Sequence, residues 1–200
     1  MVKLYALCVL HKKPTSATTV KAAYDVESFS FFQRGSVKEF MGFVSKTIVE
    51  RTQLSCRQSV KEGDYMCHVY VRADNLAAVL ISDHEYPKRV AHTLITRVMD
   101  DFAARYPNST WDTLSEATTD FSQINVYLAK YQNPNEADAL TKMQTDLDET
   151  NIILRNTLEA ALQRGEKLDD LVLKSEGLSA QSKAFYKTAR KTNSCCSLTP

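Results

Sequence analysis

The chain has 200 residues, 44% of them hydrophobic and 24% charged, with a formal net charge of +1. That length holds one or two domains with a real core, and the balanced charge excludes a bulk polyanion binder, so no nucleic-acid partner is expected. The longest apolar runs, such as LAAVLI (76–81), fall far below the roughly 18 residues that span a bilayer, which points to a cytosolic chain.

MVKLYALCVL (1–10) is followed by polar HKKPTSATT with no A-x-A cleavage site, so it reads as a strand rather than a signal peptide. VKLYALCVL (2–10) and TTVKAAYDV (18–26) form a hairpin. Residues 36–52 change to helical period, with Phe40, Phe43, Val44, Ile48 and Val49 on one face. Ser36 and Glu39 have the spacing of a capping box. YMCHVYVR (65–72) and LAAVLISD (76–83) flank the turn ADN as a second hairpin. A helix follows over 87–106, opened by Pro87, with Val90, Leu94, Val98 and Phe102 facing inward. Residues 107–120 read as loop and 121–132 as a shorter helix. The pattern predicts an antiparallel sheet covered by helices.

QNPNEADA (132–139) breaks the pattern, because Pro134 and two asparagines end what precedes them. From 137 to 192 there is no proline, two glycines and one sustained helical period. Some 55 residues of helix would be a rod of roughly 80 Å, and its stripe needs other helices or the first domain to cover it. The stripe runs in steps of three and four through Leu140, Met143, Leu147, Thr150, Leu154, Thr157, Ala161, Arg164, Leu168, Leu171, Ser175, Leu178, Ser182, Phe185, Ala189 and Thr192. Ten of these sixteen positions are apolar and the register holds without a stutter. Arg164 is the exception. In a self-paired coil it would meet a second Arg164 in low dielectric, at a cost of several kcal/mol. The seam therefore requires different helices that bring acceptors, and uncharged glutamine amides suffice for a guanidinium. A basic nucleic-acid helix is disfavoured by the interleaved Glu149, Glu159, Glu166, Asp169, Asp170 and Glu176.

Enzyme readings are weak. Cys67 and His68 are adjacent, so on a strand they point to opposite faces and cannot pair as nucleophile and base. His11, His68, His84 and His92 lack metal spacing, and no glycine-rich phosphate loop is present; neither cofactor nor metal is expected. The sequon NST (108–110) would go unused in a cytosolic chain. Cys8, Cys56 and Cys67 read as reduced thiols. Cys195 and Cys196 are adjacent in a polar tail and can carry lipids.

LDETNIILRNTLEAALQRGEKLDDLVLKSEGLSAQSKAFYKTARK closely resembles the R-SNARE motif, in which an arginine within L-x-R-G-x-K-L forms a central ionic layer with three glutamines. Arg164 matches that arginine. The first domain resembles a longin domain. AAYDVESFSFFQR, DYMCHVYVR, YQNPNEAD and KTARKTNSCC narrow the likeness to the lipid-anchored longin R-SNAREs of the YKT type, a synaptobrevin-related group. The resemblance implies an α+β, profilin-like longin domain over 1–131, an antiparallel five-stranded sheet with helices on both faces. A linker at 132–137, a long coiled-coil helix over 138–194 and a lipid-anchor tail at 195–200 would follow. The implied function is vesicle-membrane fusion by zippering with three Q-SNARE helices, one syntaxin-like and the others light chains. The implied seam layers are Leu140, Met143, Leu147, Leu154, Ala161, Leu168, Leu171, Leu178, Phe185 and Ala189 around Arg164. The longin domain would act as a brake on the free helix through Phe40 and Phe43, with SFSFF (28–32) next to them; ordinary core is the plainer reading of Phe40 and an equal alternative for Phe43. Attachment would be peripheral, on the cytosolic face of Golgi, ER-derived vesicle and endosomal membranes, aided by Lys187, Arg190 and Lys191, for which a plain solvated basic tail is the equal alternative. In such proteins the first of two cysteines is palmitoylated and the second prenylated in a C-C-a-a-X box. Cys195 fits the first role. Cys196 is followed by SLTP, four residues rather than three, which departs from the box. A longin-based adaptor whose coil binds non-SNARE partners is the alternative.

Overall fold

The computed structural model describes residues 3–133 and 151–195. The first hairpin is β1 (Leu4–Lys12) and β2 (Ala17–Tyr24), followed by α1 (Arg34–Arg51). Three antiparallel strands come next, β3 (Cys56–Glu62), β4 (Tyr65–Val71) and β5 (Leu76–Asp83). α2 (Lys88–Arg105), a 3-10 turn (Asn108–Thr113) and α3 (Gln123–Lys130) complete the domain. A sixth strand, β6 (Ile152–Arg155), comes from the C-terminal half, and the order is β2-β1-β5-β4-β3-β6.

β1 and β5 are neighbouring interior strands and are apolar without alternation because both their faces are covered. On one face Leu7, Val9, Ala78 and Leu80 pack against Leu94, Val98 and Phe102 of α2 and Ile124 and Leu128 of α3. On the other, Cys8, Leu10, Val69, Val79 and Ile81 meet Met41, Val44 and Ile48 of α1. The five antiparallel strands with helices on both faces are those of the expected longin architecture. Cys67 and His68 do face opposite ways: Cys67 joins the α1 side, and His68 turns toward α2.

Two details depart from the expectation. The Ser36–Glu39 capping box does not form, because α1 already begins at Arg34 and Ser36 is buried inside it. The far end of α1 is closed by Lys12, whose ammonium donates to the carbonyls of Val49, Glu50 and Thr52 at 2.7, 2.8 and 2.7 Å, a cation satisfying the orphan acceptors of a helix C-terminus.

The larger departure concerns the long helix of 138–194. Residues 151–195 do not form one rod. They divide into β6, a 3-10 turn (Glu159–Ala161), α4 (Leu168–Lys174) and α5 (Ala180–Cys195), folded against the first domain. The chain bends at the two glycines: Gly165 has φ +89°, a left-handed conformation that glycine adopts without a Cβ clash, and Gly177 lies between α4 and α5. At β6 the sequence IILR begins with two β-branched residues, which suit a strand better than a helix. A lone helix would leave the stripe wet; wrapping exchanges some helical hydrogen bonds for burial at roughly 25 cal/mol per Å2. The expected linker falls largely, and Leu140, Met143 and Leu147 wholly, outside the described residues.

Between β3, β4 and α2 lies a fully buried polar cluster. Ser59 Oγ is 2.8 Å from His68 Nδ1 and 3.0 Å from His92 Nε2, and His68 Nε2 is 3.3 Å from Ser82 Oγ. Burial pushes both imidazoles down, His92 to about 3 with help from Arg57, and His68 well below its ordinary value with help from His92 and Lys88. Unfolded, both titrate near 6.5. Below that pH the unfolded chain binds more protons than the folded one, so stability is complete above about 6.5 and declines on acidification. We expect denaturant unfolding to show a loss of about 2 kcal/mol from His92 alone between about pH 7 and pH 5. His92→Gln should flatten that dependence, and an unchanged slope would contradict the account.

Candidate functional site

The α1 side of the sheet extends beyond the first domain's own core into an apolar surface that the C-terminal half covers. Leu158, Ala161, Leu168, Val172 and Leu178 are all buried in that single cluster, with Phe185 and Tyr186 packed on its edge. β6 pairs in parallel with β3, Ile152 opposite Arg57 and Arg155 opposite Val60. Four sets of polar contacts pin the wrap. Arg51, at the end of α1, grips Glu166 bidentately, Nε to Oε2 at 2.9 Å and Nη2 to Oε1 at 2.7 Å. That grip holds the Glu166 carboxyl below the usual range. Glu39 accepts from Ser179 N at 3.0 Å and Ser179 Oγ at 2.8 Å, and also from the Ser182 hydroxyl. The Ser182 and Ser179 bonds hold the Glu39 carboxyl low. Ser179 caps α5, receiving Ser182 N at 3.1 Å, and places Glu39 at the positive end of that helix. Glu62 receives Leu158 N at 2.8 Å, and Arg155 Nε donates to Gln58 Oε1 at 2.9 Å. Tyr186 stacks on Phe40 with centroids 5.2 Å apart and donates to Asp169 Oδ1 at 2.7 Å.

Under this cover lies a cavity of about 350 Å3, the size that accepts a small apolar ligand. Its walls include Phe29, Val37, Phe40, Cys67 and Ile81 from the first domain and Phe185 from α5. Glu62, Glu159 and Arg190 are the charged residues of the lining. Burial pushes the Cys67 thiol up to about 12, so it lines the wall as an apolar thiol. Among the described residues no group of histidine, cysteine and carboxylate side chains could hold a metal.

The stripe residues divide into three sets. Ala161, Leu168, Leu178 and Ser182 are buried against the first domain; Leu171, Ser175 and Phe185 are half-buried. Leu154, Thr157, Arg164 and Ala189 are exposed, Leu154 at 58%. Arg164 sits in the turn with Gly165, apart from the cavity lining. Phe40 and Phe43 are both half-buried and packed on the cluster that receives the wrap, but only Phe40 lines the cavity. Cys195 ends α5, with its side chain outside the description, and Cys196 lies outside the described residues. Glu39 stands out in the sequence only for a capping box it does not form, and Arg51 and Tyr186 not at all: isolated polar residues on a helix look alike whether solvated or, as Arg51 and Glu39 are, paired across 115 or 140 positions. No described helix is long and apolar enough to cross a membrane.

Residues 26–128 match the family model of the longin, or regulated-SNARE-like, domain, and residues 139–197 match that of synaptobrevin. The chain is 46% identical over 194 residues to the synaptobrevin homolog ykt6 of Schizosaccharomyces pombe, covering 97% of this chain and 98% of that protein. It is 46% identical over 196 residues to the synaptobrevin homolog YKT6 of Debaryomyces hansenii and 45% identical over 197 residues to that of Saccharomyces cerevisiae, with the same coverage of both chains. These are SNARE proteins of vesicle fusion, not enzymes. The chain belongs to the longin-domain R-SNAREs of the YKT6 type.

Proposed function

We propose that this R-SNARE zippers with three Q-SNARE helices to fuse vesicle membranes, and that its longin domain holds it closed until they arrive. The observation that carries this reading is the burial of Ala161, Leu168 and Leu178 under the longin domain. The same side chains form the seam that partner helices require, so one cover excludes the other. The longin domain occupies 1–131, the linker 132–137, the R-SNARE motif 138–194 and the anchor tail 195–200. In the assembled form residues 138–194 become one helix, with Leu140, Met143, Leu147, Leu154, Ala161, Leu168, Leu171, Leu178, Phe185 and Ala189 as apolar layers. Arg164 donates to the glutamine side-chain carbonyls of a syntaxin-like helix and two light chains. Phe40 and Phe43 form the closing face.

Cys195 carries palmitate and Cys196 is the position a prenyl group would take. The cavity between Phe29, Phe40 and Phe185 houses that chain in the closed form, which keeps it out of water. The open form attaches peripherally to the cytosolic face of Golgi, ER-derived and endosomal membranes. Apolar burial along the seam, released from one end toward the cysteines, supplies the pull between bilayers.

Three measurements check these roles. Arg164→Ala should weaken assembly with glutamine-contributing helices by at least about tenfold, since it leaves desolvated acceptors unpaired. Undiminished assembly would favour an adaptor that binds other partners. Phe43→Glu places a charge in the apolar contact, so limited proteolysis within 151–191 should accelerate by about tenfold; equal cleavage of variant and parent removes Phe43 from the brake. Arg51→Ala and Glu166→Gln should each raise hydrogen exchange over 158–178 about fivefold, the effect of a charge-assisted pair worth ~1 kcal/mol. The double variant should exchange no faster than either single one, and additive effects would show that the two residues do not act as a pair.

A further inference from the structure

The loop between β2 and α1 carries Phe31 and Phe32, 76% and 82% exposed, the highest values among the exposed large hydrophobics of the described residues. The loop is built to hold them there. Phe29 N donates to Val26 O at 3.1 Å, Gln33 N to Ser30 O at 2.8 Å and Arg34 N to Ser30 O at 3.2 Å. The Arg34 guanidinium crosses back to Phe29 O at 3.1 Å and Glu27 O at 2.9 Å. Phe29 turns inward, edge-on to Tyr5 at 5.9 Å, and lines the cavity. The described part of the tail stacks on Phe40 and shares a cavity with Phe29, while the two rings at the tip stay exposed.

We propose that Phe31 and Phe32 form a shallow membrane-inserting wedge whose partner is the headgroup–acyl boundary of a bilayer. The two rings lie 5.7 Å apart at 85° on an exposed tip. Packed edge to face, they make a single apolar knob standing proud of the surface, which a fluid interface accommodates without shape complementarity, as it does other interfacial aromatics. Residues 28–35, SFSFFQRG, contain one arginine and no carboxylate, and exposed Lys38 follows on α1, a charge pattern that tolerates anionic headgroups. Through Phe29 the loop is continuous with the cavity assigned above to the lipid chain. A chain held in that cavity therefore lies against Phe29, at the base of the same loop. One acyl chain gives only marginal, reversible attachment, so a second weak contact multiplies residence. The loop is already ordered, so little conformational entropy is lost on insertion.

The biological setting rests on the proposed lipid attachment, but the test does not. The full chain, bearing a C-terminal hexahistidine tag, is tethered to phosphatidylcholine vesicles through a nickel-chelating lipid, so neither acylation nor SNARE assembly enters. Phe32→Trp should show blue-shifted emission and quenching by brominated lipid once tethered, measured against the buried native Trp111. Phe31→Ser/Phe32→Ser should leave the vesicles about tenfold faster than the parent, with circular dichroism unchanged because both rings are exposed. Emission from the introduced indole that does not shift on tethering, or equal dissociation of double variant and parent, overturns the wedge. So does membrane contact that appears only after a protein partner is added.

Discussion

Ala161, Leu168 and Leu178 can be covered only once at a time, and they are too apolar to be left uncovered. Buried against the α1 side of the sheet, they share a cluster with Val44, Ile48 and Val79. The surface that receives them is an extension of the domain's own core, so the tail is folded by the same hydrophobic term that folds the domain. That is why a sequence with an unbroken helical stripe bends into a strand and short helices here. Helix propensity is worth tenths of a kcal/mol per residue, and burial of a leucine side chain about 1.5–3 kcal/mol.

The polar contacts around this apolar seam have a different weight. Arg51 and Glu166 are 17% and 23% exposed at their side chains, and Glu39 meets Ser179 and Ser182 near solvent. Such pairs are individually modest, enough to fix where the tail lies without making it immovable. Gly165 completes the arrangement. At φ +89° it makes the turn that lets α4 reach the groove, yet a glycine can also take helical angles. One residue type therefore permits both the wrapped path and the continuous helix of the proposed assembly, whereas a β-branched residue there would be strained in the first.

Much of the longin domain was legible because its signals are local. Alternating or continuous apolar runs marked β1, β2, β4 and β5, and the face of Val90, Leu94, Val98 and Phe102 marked α2. β3 was not, because CRQSVKE is a polar run; its inward Gln58 and Ser59 are satisfied by Thr52, His68 and His92, partners that no spacing discloses. β6 was hidden for the opposite reason. Its residues fit the seam period, and only the presence of β3's free edge gives them a better use. At the site, Phe40 could be found from helix phase, but its stacking on Tyr186 joins opposite ends of the chain, which periodicity cannot see.

Arg164 shows how one residue can be neutral in one packing and decisive in another. In the wrap it lies exposed beside Gly165, while Ala161 and Leu168 on either side of it in the stripe are buried. The longin domain is therefore an undemanding cover: it takes the central layers Ala161, Leu168 and Leu178 and leaves Arg164 exposed, along with Leu154 and Ala189. A four-helix bundle has no such freedom, because a straight helix carries Arg164 into the same dry line as Ala161 and Leu168. Only helices that present acceptors at that one level can close over it without leaving a buried charge unpaired. In the proposed cycle, affinity for a cover resides in the leucines and the choice among covers in the guanidinium, so a wrap built from general apolar contact is compatible with an assembly that is selective for its partners.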